Sequence, residues 1–237
     1  MTADRKLLVV LGMHRSGTSA VTGMLKDYGV ELGPAREKRN AFNLRGNREI
    51  QRLRLLHERV LERAGGSWCD PPESVEVTDD DRRRRDEVLA GIEGDVIAVK
   101  DPRMLLTMEL WRDLDPAPIG VIRNPVAVID SLASRAAKGG GPARTPDAWE
   151  ELWRHYNRLL LDELERRPFP LVDFDRRGDL PAQVKAALAA HGVAAGGESE
   201  FFDPALVSAK GEAWRGRAAP ESAALWDRLR EHAVVRA

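Results

Sequence analysis

Residues 9 to 20, VVLGMHRSGTSA, carry the chemistry most open to reading in this chain. Gly12 and Gly17 stand in a Gly-x4-Gly frame between an apolar run and a helical pattern. Glycines there let the backbone turn tightly, so that successive N–H groups and the positive end of the following helix converge on one anion. His14 lies inside the turn, and Arg15 with the hydroxyls of Ser16, Thr18 and Ser19 adds charge and donors. The plainer alternative is a tight strand-to-helix connection with Arg15 in solvent. In loops that bind nucleoside triphosphates, a lysine reaches the β- and γ-phosphates and the next hydroxyl holds magnesium. Thr18 occupies the lysine's position, and an arginine earlier in the turn suits a shorter, less charged tail.

Two further stretches share one design. VKDPRML ends a strand on Lys100, with Asp101 to cap and Pro102 to open the next helix; VIRNPVAV ends a strand on Arg123, with Asn124 and Pro125 in those roles. Arg15, Lys100 and Arg123 thus fall at the carboxyl ends of three strands, the edge of an open α/β sheet where ligands bind. Each alone could be a surface cation beside a carboxylate; the recurrence at one edge points to an anion site.

The elements that must position these groups alternate, as in an α/β domain with a largely parallel sheet. Strands are expected at 6–11, 95–99, 118–122 and 169–174, and helices at 17–28, 47–64, 79–91, 103–114, 125–136, 146–166 and 180–191. The glycine-rich stretch 136–146 is expected to form a mobile loop over the site. Residues 1–237, with 43% hydrophobic and 32% charged side chains, fit one domain. With 37 basic and 38 acidic residues the net charge is −1, so no general attraction to nucleic acid or an anionic membrane is expected. Cys69 is the only cysteine, and the apolar run at the start is too short for a signal peptide or a membrane span; the expected location is the cytoplasm. The run DDDRRRRDEV at 79–88 reads as a solvated helix laced with i,i+4 pairs. Trp111, Trp149 and Trp153 read as core, and Trp68 as a neighbour of an acceptor pocket.

These motifs resemble the sulfotransferases that use 3′-phosphoadenosine-5′-phosphosulfate (PAPS). GMHRSGTSA resembles the family's 5′-phosphosulfate loop in its arginine form, as in the bacterial branch, and VIRNPVAVIDSLASR resembles its 3′-phosphate segment, in which Arg123 and Ser131 would hold that phosphate. KDPR recurs in the bacterial and tyrosylprotein branches, and NLRGNREIQRL resembles a pattern that sets a glutamate, here Glu49, before a helix. Leu44 replaces a usual proline there, and Asn47 and Arg48 stand where aromatic residues are common. The resemblance implies a three-layer P-loop-type sulfotransferase fold and transfer of a sulfuryl group to a hydroxyl or amine of a small molecule or carbohydrate, without a metal. His14, Arg15, Ser16, Gly17, Thr18 and Ser19 would bind the donor, Arg15 and Lys100 would stabilise the leaving phosphate, and Glu49 would be the base, with His57 and His14 as alternatives. KGEAWRGRAA at 210–219 either contributes to the adenine site through Trp214 or packs that indole in the core. Two other functions share the frame: a P-loop kinase of nucleotides or small molecules, and a non-catalytic adenylate-binding domain.

Overall fold

The computed structural model describes residues 5–35, 46–201 and 212–233. Strand β1 (Lys6–Leu11) lies inside a four-stranded sheet with β2 (Val96–Lys100), β3 (Ala117–Ile122) and β4 (Leu171–Asp173), in the order β2-β1-β3-β4. Every pairing is parallel: Val9 faces Val99 on one side and Pro118 on the other, and Val121 faces Val172. A parallel strand covered on both faces needs an unbroken apolar run, and Leu7 to Leu11 are all buried. Alternation then sends Leu8 and Val10 to one layer, with helices α1 (Thr18–Asp27) and α6 (Leu180–Ala190). Leu7, Val9 and Leu11 face the other, where α2 (Gln51–Arg63), α3 (Asp79–Ala90), α4 (Pro125–Ala137), α5 (Pro146–Arg166) and α7 (Pro220–Glu231) supply the core. The result is a three-layer α/β fold with a parallel sheet. Because β2 and β3 flank β1 from opposite sides, the crevice at the carboxyl end of β1 is a topological switch point.

The strands follow the sequence pattern closely, and three departures have local causes. Residues 103–114 form short 3-10 turns, Pro102–Leu110 and Arg112–Leu114, instead of an α-helix. Thr107 breaks the run at φ −128°, ψ 31°, and its Oγ1 donates to the Arg103 carbonyl at 3.0 Å, a side-chain bond that competes with the helical ladder. Helix α2 begins at Gln51, since Ile50 is extended and bridges to Ala35; Glu49 therefore precedes the helix. Helix α7, absent from the sequence expectations, opens on Pro220 and buries Leu225, Trp226 and Leu229.

Helix α3 is mostly the solvated, ion-paired helix expected, with Arg84 on Asp80 at 2.6 Å. Two of its charges turn inward. Asp81 completes a capping box with Thr78, and buried Arg85 grips Asp113 through both terminal nitrogens.

Candidate functional site

At the end of β1 the chain enters a turn that needs glycine at two positions. A Cβ on Gly12 would lie 2.5 Å from the Val121 carbonyl oxygen, and one on Gly17 would collide with the Phe174 ring. Gly17 also has φ 95°, in the left-handed region that favours glycine. Between them Ser16 N–H donates to the Met13 carbonyl at 3.2 Å, which closes the turn. Thr18 then starts α1, whose first N–H groups have no intrahelical acceptor. Inside this turn Ser16 Oγ and His14 Nδ1 are sealed from solvent and have no hydrogen-bond partner among the described residues.

Arg15 joins two other candidate residues. Its backbone is left-handed at φ 70°, its Nε donates to Ser131 Oγ at 2.8 Å, and its carbonyl accepts from Arg123 Nη1 at 3.0 Å. Burial, and then the nearby Arg135 guanidinium, disfavour its charged form relative to an ordinary arginine. Arg123 is itself fixed, with its guanidinium over Phe174 and its carbonyl accepting from Trp153 Nε1 at 3.1 Å. The expected caps are present. Asn124 Oδ1 accepts from Ala127 N–H at 2.8 Å, and Asp101 Oδ1 accepts from Arg103 N–H at 2.9 Å. Asp175, at the end of β4, accepts from both the backbone and the side-chain amide of Asn124, at 2.7 and 3.0 Å.

Glu49 and Lys100 form a second group. Lys100 Nζ donates to Glu49 Oε1 at 2.8 Å, with the lysine side chain 1% exposed. Ser19 Oγ donates to the Asn47 carbonyl at 3.0 Å and so ties the Glu49 segment to α1. Thr18 is buried, and its carbonyl accepts from Thr22 Oγ1 at 2.7 Å. Asn43, Leu44 and Arg45 of the glutamate motif lie outside the described residues.

The two groups are linked electrostatically. Glu49 favours the charged form of Arg135, Arg135 disfavours that of Arg15, and Lys100 and Arg15 both act on His14. Arg135 and Arg103 were not singled out by sequence reasoning. Arg135 follows Ser131 by four residues on α4, so the helical repeat was the signal that could have found it. Arg103 donates to Asp101 at 2.9 Å and to Glu58 at 3.0 Å, which balances its charge inside the site.

An aromatic wall adjoins the turn. His14 packs on Trp68 with ring centroids 4.2 Å apart, Trp68 stacks on Trp149 at 6.1 Å, and the Tyr156 hydroxyl donates to the Trp68 carbonyl at 2.8 Å. Trp111, Trp149 and Trp153 are core residues, as expected. The glycine-rich segment crosses this wall, since Arg144 donates to the Cys69 carbonyl and lies over Trp149. His57 is remote in role: fully buried, it meets Thr107 Oγ1 through Nδ1 at 2.6 Å and stacks on Trp111. Trp214 packs edge-on against Trp226 and is buried, the core alternative of the two expected for it; Lys210 and Gly211 lie outside the described residues. Among the described residues no cluster of three or more His, Cys, Asp or Glu side chains is arranged to hold a metal ion, and no helix is long and apolar enough to cross a membrane.

No family model and no curated protein matches the chain. Solved structures do. A sulfotransferase from Alicyclobacillus acidocaldarius is similar over 95% of this chain and 96% of its own, at 16% identity and a TM-score of 0.58. The sulfotransferase domain of the olefin synthase from Synechococcus PCC 7002 covers 100% of this chain and 92% of its own, at 17% identity and a TM-score of 0.47. At such low identity the likeness speaks for the backbone alone, and the Alicyclobacillus structure, with the parallel sheet, gives this chain the sulfotransferase fold.

Proposed function

We propose that this chain is a PAPS-dependent sulfotransferase that sulfates a hydroxyl or amine of a small molecule or carbohydrate and releases 3′,5′-phosphoadenosine (PAP). The observation that carries the reading is the turn from Gly12 to Ser19. It packs Gly12 on the Val121 carbonyl and Gly17 on the Phe174 ring so closely that neither tolerates a Cβ, and it holds an orphaned buried hydroxyl on Ser16 and a buried threonine in place of a triphosphate-binding lysine. These features fit a phosphosulfate. His14, Arg15, Ser16, Gly17, Thr18 and Ser19 would hold that end of the donor, and Arg123 with Ser131 the 3′-phosphate. The donor's contribution is an activated sulfuryl group on a phosphate leaving group.

The chain's own part is positioning and charge. Helix α1 and Arg15 turn N–H groups and a cation toward negative charge that grows on the phosphate. Lys100 Nζ, held in the site by Glu49, adds a second cation. Glu49 Oε1 is engaged by Lys100, so the acceptor's proton would go to Oε2 as the acceptor oxygen attacks sulfur and the bond from sulfur to phosphate breaks. The site is read as cytoplasmic, free of nucleic-acid and membrane partners.

Ligand preference tests the reading. PAP without magnesium should raise the melting temperature by about 5 to 10 °C at a hundred times its Kd, and ATP with magnesium should do little. A larger shift with magnesium-ATP would instead support a kinase. PAP binding with no acceptor in a broad panel gaining the mass of a sulfuryl group would support a non-catalytic adenylate-binding domain.

A further inference from the structure

His14 is buried without a hydrogen bond at Nδ1, although buried polar atoms in folded proteins are nearly always paired. Two residues on, Ser16 Oγ is in the same condition, so both sides of Arg15 carry an unmet polar atom inside one turn. Among the described residues none packed on His14 bonds to it. The contacts are ring to ring: Trp68 lies tilted against the imidazole, Tyr156 meets it at an interplanar angle of 89°, and the Tyr156 hydroxyl gives its proton to the Trp68 carbonyl.

The charges around the imidazole come from four elements. They are Arg15 in the turn, Lys100 at the end of β2, Arg103 on the short helix and Arg135 on α4. Glu49 partners Lys100, while Asp101 and Glu58 partner Arg103. Burial first, and then these cations, hold the imidazole neutral well below its usual range. An anion in the turn would reverse both conditions. It would offer an acceptor to a ring N–H and offset the neighbouring positive charge.

We propose that His14, unpartnered at Nδ1, is a proton-linked ligand of the anion bound in this turn: it takes up a proton from solvent as the anion enters and donates a hydrogen bond to it. Only an N–H bond forms, and the proton returns to solvent on release. The proposal rests on the turn being an anion site and is independent of which nucleotide brings the anion.

Linkage gives the sign. The bound state holds one more proton than the free state, so affinity should rise as pH falls between the free and bound midpoints, approaching tenfold per unit. Sulfate suits the test because it does not titrate near neutrality, and PAP is the nucleotide probe. In the full chain the His14 ring signal, assigned by comparison with His14→Gln or His14→Asn, is followed by NMR from pH 5.5 to 8. We expect it to stay neutral throughout when free and to titrate within that range under saturating sulfate or PAP. Sulfate affinity should vary with pH in the parent protein and be flat in either variant. A His14 midpoint unmoved by saturating anion, or the same pH dependence in the variants, overturns the proposal. Binding of sulfate with a raised midpoint, but no binding of PAP, upholds it while removing the sulfotransferase reading. Binding of neither anion removes both.

Discussion

Arg15 occupies a left-handed backbone position at φ 70°, a placement that costs a residue with a Cβ about 1 to 2 kcal/mol. It is held there from both ends, by Arg123 on its carbonyl and Ser131 on its guanidinium. Arg123 is thus a support of the turn as well as the candidate for a second anion, and its removal should be felt at two depths. Loss of a charge-assisted bond to a 3′-phosphate corresponds to about 10- to 200-fold in affinity, and loss of one ordinary prop to about fivefold. Arg123→Ala should therefore weaken PAP by the larger factor and adenosine 5′-phosphosulfate by the smaller, as read by calorimetric titration; equal losses would leave no separate 3′-phosphate pocket. The buried Lys100 and Glu49 pair makes a different demand. Glu49→Ala strands a buried ammonium and should cost about 3 to 5 kcal/mol in urea unfolding, most of it recovered by adding Lys100→Met. Glu49→Gln keeps an oxygen for Lys100 but cannot take the acceptor's proton, so it should fold normally and turn over about 10² to 10⁴ times more slowly. Turnover at the parent rate would leave Glu49 as the partner of Lys100 alone.

At the scale of elements, legibility followed how local the deciding interactions are. The strands were readable because a parallel strand buried on both faces must be an apolar run, and α4 and α5 were readable from Asn124–Pro125 and Thr145–Pro146 at their starts. The segment after Lys100 was not, because a hydroxyl at Thr107 and its long-range partner His57 decide its shape. Helix α7 is hard to read in the sequence although Leu225, Trp226 and Leu229 have helical spacing, because the four charged residues from Asp227 to Glu231 dilute the pattern. Asn124 shows a cap doing more than sequence discloses. It caps α4 and also gives two hydrogen bonds to Asp175, fastening the helix that carries Ser131 to the end of β4. Asn124→Ala should cost about 1 to 2 kcal/mol in chemical denaturation. Asn124→Asp, harmless at an ordinary cap, sets a carboxylate against Asp175 and should be at least as damaging; a near-neutral result would show that the tie to β4 contributes nothing.

For the whole molecule, a net charge of −1 conceals a local gathering of cations, because those that act on His14 are spread from Arg15 to Arg135 along the chain. Only the sheet order, with β1 between β2 and β3, brings their carrying segments to one edge, and composition could not announce that. The same packing buries a second imidazole whose titration bears on stability. Thr107 Oγ1 gives its proton to the Arg103 carbonyl, so it accepts from Nδ1–H of His57, while the buried Nε2 is left without a partner. Burial lowers the His57 pKa to about 4, with Asp101 opposing and Arg103 assisting. The unfolded chain takes up this proton near the ordinary value of about 6.5, so the stabilisation is complete above that pH and is lost as pH falls toward 4. Its full size is about 3 kcal/mol. His14, also held neutral, adds a loss of the same sign. Asp173 works the other way, since burial raises its pKa and its contribution is lost as pH rises. Unfolding free energy should therefore fall between pH 6.5 and 4.5, with a slope approaching about 1.4 kcal/mol per unit for each neutral histidine. His57→Gln retains a hydrogen-bonding side chain beside Thr107 but cannot titrate, so its stability curve should be flatter by one such slope. A variant curve parallel to the parent's across that interval would mean that His57 accepts its proton in the folded chain as readily as in the unfolded one.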